Sequence, residues 1–274
     1  MKRDRIAMLN RIISTLFIAY IGMTCALFYV IALLIWVITR PFDKRLVILH
    51  LYSCFWASLY IWTMPAWRIS SSGRDKVDWK KTYMVVSNHQ SQLDILAAFT
   101  LFFPFKWVSK AEIFKVPFIG WNMVMNRYIR LKRGDKESIA EMMDACEKIL
   151  KEGSSVYFFP EGTRSFDGHL RPFKPGAFIL AHQMKLPILP IAINGTRKAL
   201  PKYSMNFHGK HQLSIDILDE IPYEAYAHLS VEETAEMVRQ LIGSRVEDHV
   251  NAIETTLSKG NLKAAGEAGY TAGA

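Results

Sequence analysis

Hydrophobic and polar positions change their period twice along this chain. Residues 12–39 form an apolar run without a charge, and residues 46–67 form a second. The first exceeds the ~20 residues that span a bilayer. Between them lies the short link Arg40-Pro41-Phe42-Asp43-Lys44-Arg45. From about residue 75 short β-branched or aromatic runs take over. They are predicted as buried strands at 83–87, 105–109, 128–131, 155–159, 188–193 and 213–218. Helix-period segments lie between them. The clearest is 136–151, with Ile139, Met142, Met143, Cys146, Ile149 and Leu150 on one face, Asp135 placed to cap its start and Gly153 to end it. Residues 231 to about 257 read as a final, charge-laced helix, and 264–274, rich in Ala and Gly, as a loose tail. The predicted fold class is α/β: a mixed, mostly parallel sheet covered by helices, preceded by an apolar two-helix membrane anchor. The expected division is 1–70 anchor, 71–260 α/β domain and 261–274 tail.

Aromatic residues reinforce the anchor reading. Trp36, Trp56, Trp62, Trp67, Tyr52 and Tyr60 fall near run ends or within the second run, as suits a membrane interface. A cleaved signal peptide is disfavoured, because the first run is too long for its apolar region and no small-residue cleavage site follows promptly. Lys2, Arg3, Arg5 and Arg11 precede the first run, Arg40, Lys44 and Arg45 fill the link, and Arg68, Arg74 and Lys76 follow the second. Cations at every junction fit a shallow hairpin within one leaflet, and a two-span hairpin stands beside it.

Composition narrows the class. The 274 residues carry a formal charge of +9, which suits an anionic leaflet. The cations spread along the apolar flanks and one strand without a nucleic-acid motif. Cys25, Cys54 and Cys146 form neither a disulfide framework nor a metal spacing, and fit a reducing, cytoplasm-facing compartment. His169, His182, His208, His211, His228 and His249 show no ligand constellation, so no metal is implied. His50, inside the second apolar run, is expected at the interface.

Candidate chemistry begins at Asn88-His89-Gln90-Ser91-Gln92-Leu93-Asp94, directly after the run Tyr83-Met84-Val85-Val86-Ser87. A histidine with a carboxylate is the minimal general-base unit: the carboxylate holds one ring nitrogen and the other takes a proton from an alcohol. On one continuous helix an offset of five sets two side chains about 140° apart. His89 is therefore predicted in the turn after the strand, and Asp94 in the first helical turn, reaching back. Taken alone the spacing is weak, and a satisfied surface histidine is its plainer explanation.

Three further stretches change the odds. In Phe158-Phe159-Pro160-Glu161-Gly162-Thr163-Arg164-Ser165, Gly162 permits close backbone approach and Arg164 offers a planar fork for a phosphate, against the plainer reading of an ordinary turn. Arg127-Tyr128-Ile129-Arg130-Leu131-Lys132-Arg133-Gly134-Asp135 is basic. Arg127, Arg130 and Lys132 read as a solvated edge strand, and Arg133, at the strand's end, as the site candidate. The last is Phe173-Lys174-Pro175-Gly176-Ala177, followed by Leu189-Pro190-Ile191-Ala192-Ile193, a core strand with a structural role. No Gly-x-Ser-x-Gly elbow is present, and Ser91 and Ser165 lack the context of a nucleophile.

In this order the stretches resemble the 1-acylglycerol-3-phosphate acyltransferases of the broader His-x4-Asp glycerolipid acyltransferase superfamily. His89 and Asp94 match that family's catalytic motif, Arg133 its second motif, Glu161, Gly162, Thr163 and Arg164 its third, and Pro190 its fourth. Lys110, in Trp107-Val108-Ser109-Lys110-Ala111-Glu112, matches a family lysine that helps bind the substrate phosphate. The resemblance covers about residues 84–195, and the two-run amino terminus agrees with it. Asn126 departs from the pattern where a glycine often leads into the second motif.

The resemblance implies transfer of an acyl group from a thioester to the free hydroxyl of lysophosphatidic acid, giving phosphatidic acid. His89 is then the base and Asp94 its orienting group. Lys110, Arg133 and Arg164 hold the phosphate, and backbone donors near Gly162 face the oxyanion. No cofactor is implied. The co-substrate is a thioester of acyl carrier protein or coenzyme A, and the catalytic domain is expected on the cytoplasmic side of an inner membrane. Two alternatives stand. One is another acceptor: a different lysophospholipid, an acylated amino-acid lipid or glycerol 3-phosphate. The other is a non-enzymatic lipid-binding membrane protein on the same scaffold, against which intact His89, Asp94, Glu161 and Arg164 argue.

Overall fold

A computed structural model describes residues 2–203, 209–248 and 250–251. Two apolar helices lead the chain, α1 (Lys2–Thr39) and α2 (Val47–Thr63). Seven strands follow: β1 (Trp67–Ser72), β2 (Met84–Ser87), β3 (Phe105–Lys110), β4 (Ile129–Leu131), β5 (Ser155–Phe158), β6 (Ile188–Asn194) and β7 (His211–Ile217). Among them run α3 (Leu93–Phe99), α4 (Ile119–Met125), α5 (Lys136–Lys151), α6 (Gly176–Met184), α7 (Thr196–Ala199), α8 (Tyr223–Tyr226) and α9 (Val231–Gly243). Short 3₁₀ turns occupy Arg74–Lys76 and Ala111–Lys115.

The strands form one sheet in the order β1-β7-β6-β2-β5-β3-β4. Every pairing is parallel except β6 with β7. β2 to β6 therefore end on one edge, where a parallel α/β sheet places its ligand sites. Alternate residues build two cores. Tyr83, Val85, Phe105, Trp107, Tyr157 and Leu189 face α2 and α3, while Met84, Val86, Val156, Phe158 and Ile188 face α5, α6 and α9.

The mixed, mostly parallel sheet is as expected, and the six predicted strands appear with ends shifted by a residue or two. β1 was not foreseen. Its Ile-Ser-Ser-Ser sequence looks like a loop, and it becomes a strand only because the outer side of β7 offers it a ladder, with Trp67 opposite His211. α5 has its predicted bounds, and the Asp135 carboxylate accepts the Ser138 N–H at 3.1 Å. α9 begins with a reciprocal Ser230–Glu233 capping box and stops at Gly243, short of the predicted end. Residues 252–257 of that expected helix, the tail 264–274, His208 and His249 lie outside the described residues.

The two apolar runs part company. α1 exposes Ile12, Leu16, Met23, Leu27, Leu34 and Ile38, and residues 10–39 are long and apolar enough to cross a membrane. α2 instead buries Leu49, His50, Ser53, Cys54, Trp56, Ala57, Ser58, Tyr60 and Ile61. The expected two-helix anchor is thus supported in part: α1 has the length and the outward apolar surface, while α2 is largely a covering helix of the sheet. Its 17 residues reach about 25 Å, short of a ~30 Å hydrocarbon core. His50 is not interfacial but fully buried. Its Nε2 donates to the Phe103 carbonyl at 3.0 Å, and Tyr128 Oη donates to Nδ1 at 2.8 Å.

Candidate active site

The catalytic candidates are set by one strand-to-helix turn. β2 ends at Ser87, and Asn88 then clamps the turn to β6: its amide nitrogen donates to the Ile193 carbonyl and its oxygen accepts the Ile193 N–H, both at 2.8 Å. Ser91 Oγ ties the far side to the Leu200 carbonyl at 2.7 Å and accepts the Leu93 N–H at the start of α3. Asp94 thus falls in the first helical turn and reaches back, as the spacing predicted. Its Oδ2 accepts from His89 Nδ1 at 2.8 Å and from the backbone N–H groups of Gln90 and Ser91 at 2.6 and 2.8 Å. Its Oδ1 accepts from Thr196 Oγ1 at 2.5 Å. Asp94 is fully buried, and these four donors replace the water it gave up.

A carboxylate on Nδ1 selects the tautomer that carries its proton there and leaves Nε2 with a lone pair. The His89 ring lies on Phe159, 4.0 Å between centroids and 18° from parallel, which limits its rotation. Its backbone N–H is held by Glu161 Oε1 at 2.7 Å, and Glu161 Oε2 accepts the Arg171 N–H at 3.0 Å. Burial pushes the Glu161 carboxyl up to about 7, against the pull of the Arg171 and His89 amides. Glu161 therefore braces the histidine turn from below. Gln90 is buried in the same turn, and among the described residues neither of its amide atoms has a hydrogen-bond partner.

The predicted phosphate ligands lie on the same edge. Lys110 closes β3 and pairs with Glu112 at 3.3 Å. Arg133 follows β4 and is pushed down by partial burial, against Glu112 and together with Arg164, so these three charges share one neighbourhood. Gly162 takes a left-handed φ of 67°, and a Cβ there would come within 2.8 Å of the Lys174 side chain. Glycine is favoured there by the left-handed backbone, with the flexible end of the Lys174 side chain lying over it. The Gly162 N–H donates to the Phe159 carbonyl at 3.0 Å, so donors for an oxyanion would have to come from its neighbours. Thr163 is half-buried beside it.

Other candidates fall away. Arg127 pairs with Glu152 at 2.6 Å, Lys132 with Asp135 at 2.8 Å, and Arg130 lies over Phe114, so these three form the solvated edge the pattern suggested. Pro190 sits in β6 opposite Val86, a structural place. Asn126 is buried with ordinary helical φ, and it is Arg127 that takes the left-handed conformation, at φ 58°.

Lys174, named in its stretch without a role of its own, lies against Gly162, and Thr196 was missed. Thr196 reaches Asp94 across 102 positions of chain. Its one local signal was Asn194-Gly195: Gly195 has φ 78°, and a Cβ there would collide with the Gln212 carbonyl, so the turn that aims Thr196 needs glycine.

The family model described as Acyltransferase matches residues 68–194, from β1 through β6. The chain belongs to this family of acyltransferases. A 1-acyl-sn-glycerol-3-phosphate acyltransferase of Chlamydomonas reinhardtii is 30% identical over 239 residues, 86% of this chain and 70% of that protein. Chloroplastic proteins of the same name from Brassica napus and Arabidopsis thaliana are 42% and 43% identical over 153 residues, 56% of this chain. The chain spans less than half of either, 44% and 42% of their lengths. The crystal structure of the 1-acyl-sn-glycerophosphate (LPA) acyltransferase PlsC from Thermotoga maritima has the same fold. Its TM-score is 0.69 at 20% identity, covering 93% of this chain and 98% of that one.

Proposed function

We propose that the protein transfers a fatty acyl group from a thioester to the sn-2 hydroxyl of lysophosphatidic acid, yielding phosphatidic acid and a free thiol. The observation that carries this reading is the buried His89–Asp94 pair with Nε2 left as acceptor, in a chain of this family. Nε2 takes the proton of the glycerol hydroxyl as that oxygen attacks the thioester carbonyl. Asp94 keeps the tautomer and stabilises the imidazolium, and the proton then passes to the departing thiolate. Lys110, Arg133 and Arg164, with Glu161, Gly162 and Thr163 shaping the turn beside them, hold the phosphate so that the hydroxyl meets His89.

The division into an anchor, an α/β acyltransferase domain of about 71–260 and a tail belongs to the same proposal. So does its place: α1 holds the protein at a membrane, and the basic flanks favour the cytoplasmic face of an inner membrane. The donor is acyl carrier protein or coenzyme A thioester.

Purified full-length protein, assayed with lysophosphatidic acid and each donor, tests the proposal. Phosphatidic acid is expected with at least one donor, and monoacylglycerol is expected to be a poor acceptor. Equal turnover of monoacylglycerol would remove the role given to the cations. Failure with lysophosphatidic acid alongside activity on another lysolipid would move the acceptor.

A further inference from the structure

The segment that follows β3 is apolar where it meets solvent. Residues 113–126 carry one charge, Lys115, and take in the end of the 3₁₀ turn Ala111–Lys115 and all of α4. The inner side of the segment is fixed. Phe114, Gly120 and Met123 are buried, and the Asn122 and Asn126 amides donate to Ser53 Oγ of α2 at 3.0 and 3.1 Å. A Cβ at Gly120 would collide with the Phe114 carbonyl, so the turn closes tightly on the helix. The outer side presents Val116, Ile119, Trp121 and Val124, all exposed. Trp121 and Val124, three residues apart, are neighbours on the helix surface. A tethered element that shows four large apolar side chains to solvent marks a contact with something outside the fold.

The packing of α1 says what that is. The Tyr29 ring lies 5.3 Å from Trp121 and 5.9 Å from Phe118 between centroids, and Met125 packs on the cluster of Ala32, Leu46 and Leu49. Val30, Leu33 and Leu34, on the same turns of α1, are exposed, so the apolar surfaces of α1 and α4 run together. Residues 10–39 are long and apolar enough to cross a membrane, and Tyr29 lies well inside that stretch. From Tyr29 to the end of α1 at Thr39 is ~15 Å along the helix axis. Lipid around this part of α1 therefore reaches the element packed against it. Tryptophan on the apolar surface and the exposed Lys115 beside it are side chains that an interface accepts.

We propose that this segment is a second membrane contact, in which Val116, Ile119, Trp121 and Val124 enter the lipid beside α1. The proposal rests on the membrane placement of α1 and not on the acyl-transfer chemistry. Its consequence falls on the candidate site. Lys110 ends β3 immediately before the segment, so the contact holds that edge of the sheet at the level of the headgroups. A lysolipid moving laterally in the bilayer then meets Lys110 without leaving it.

The test is a depth measurement on full-length protein bound to vesicles of phosphatidylcholine and phosphatidylglycerol. Cys25, Cys54 and Cys146 are buried, so a nitroxide reacts selectively at an introduced thiol. It is placed by Val124→Cys and, for reference, by Glu141→Cys on the exposed side of α5, across the sheet. At position 124 the label is expected to lose most of its collisions with a water-soluble nickel chelate on vesicle binding and to keep those with oxygen, while the label at 141 stays open to nickel. Quenching by brominated lipid gives an independent reading: Trp121→Phe is expected to remove part of the quenching seen in the unaltered protein. A protein that floats with vesicles yet leaves position 124 as open to nickel as position 141 overturns the contact alone, as does quenching unchanged by Trp121→Phe. A protein that does not float at all removes the membrane placement and this contact with it.

Discussion

Two buried charges stand at opposite edges of one sheet, and they are treated differently. Asp94 meets four donors, three from its own turn and one from Thr196. Lys106, nearly as buried, meets none within the described residues. A carboxylate that only has to orient an imidazole is best saturated and immobile, because its geometry is its contribution. A buried amine without such donors or acceptors is instead pushed toward its neutral form, to about 7 at Lys106, chiefly by burial.

The strongest break in this contrast is His89→Ala. Loss of the base is expected to reduce turnover ~10²- to 10⁴-fold while the protein stays folded and membrane-bound, as single-turnover assays and vesicle flotation will show. Near-normal turnover would remove His89 from catalysis.

Glu161 sharpens the comparison through pH. Its carboxyl is raised from 4.5 to about 7 in the folded protein. Its contribution to stability is therefore full below pH 4.5 and is lost as pH rises through about 7, a change on the order of 3 kcal/mol. Denaturant titrations across that window are expected to show the decline, and Glu161→Gln to flatten it.

Thr196 tests how much one of the four donors matters. Thr196→Val is expected to lower kcat ~5-fold, about 1 kcal/mol, with KM for lysophosphatidic acid unchanged and Thr196→Ser restoring the rate. An equal loss in the serine variant would point to packing instead.

The smallest effect belongs to the other edge. Lys106→Met is expected to stabilise the fold by ~1 kcal/mol, because it removes a buried amine that has no hydrogen-bond partner among the described residues. A clear loss of stability would mean that Lys106 has a partner within the fold.

Local chemistry made much of this protein legible from its residues alone. Short β-branched or aromatic runs announced six strands, a period-3.6 apolar face announced α5, and Asp135 announced that helix's cap. The offset between His89 and Asp94 placed one in a turn and the other in a helix, because a carboxylate five residues on can return to Nδ1 only across such a bend. Where a contact spans distant segments the chain was silent. The strand at Trp67–Ser72 exists by virtue of β7, the hold of Thr196 on Asp94 exists by virtue of Gly195, and Lys174 meets Gly162 only once two loops converge. Composition also could not tell α1 from α2. Both are apolar helices, and only tertiary packing decided that one keeps its apolar surface outward while the other spends it on the sheet. Hydrophobicity makes a segment leave water without naming what it leaves water for.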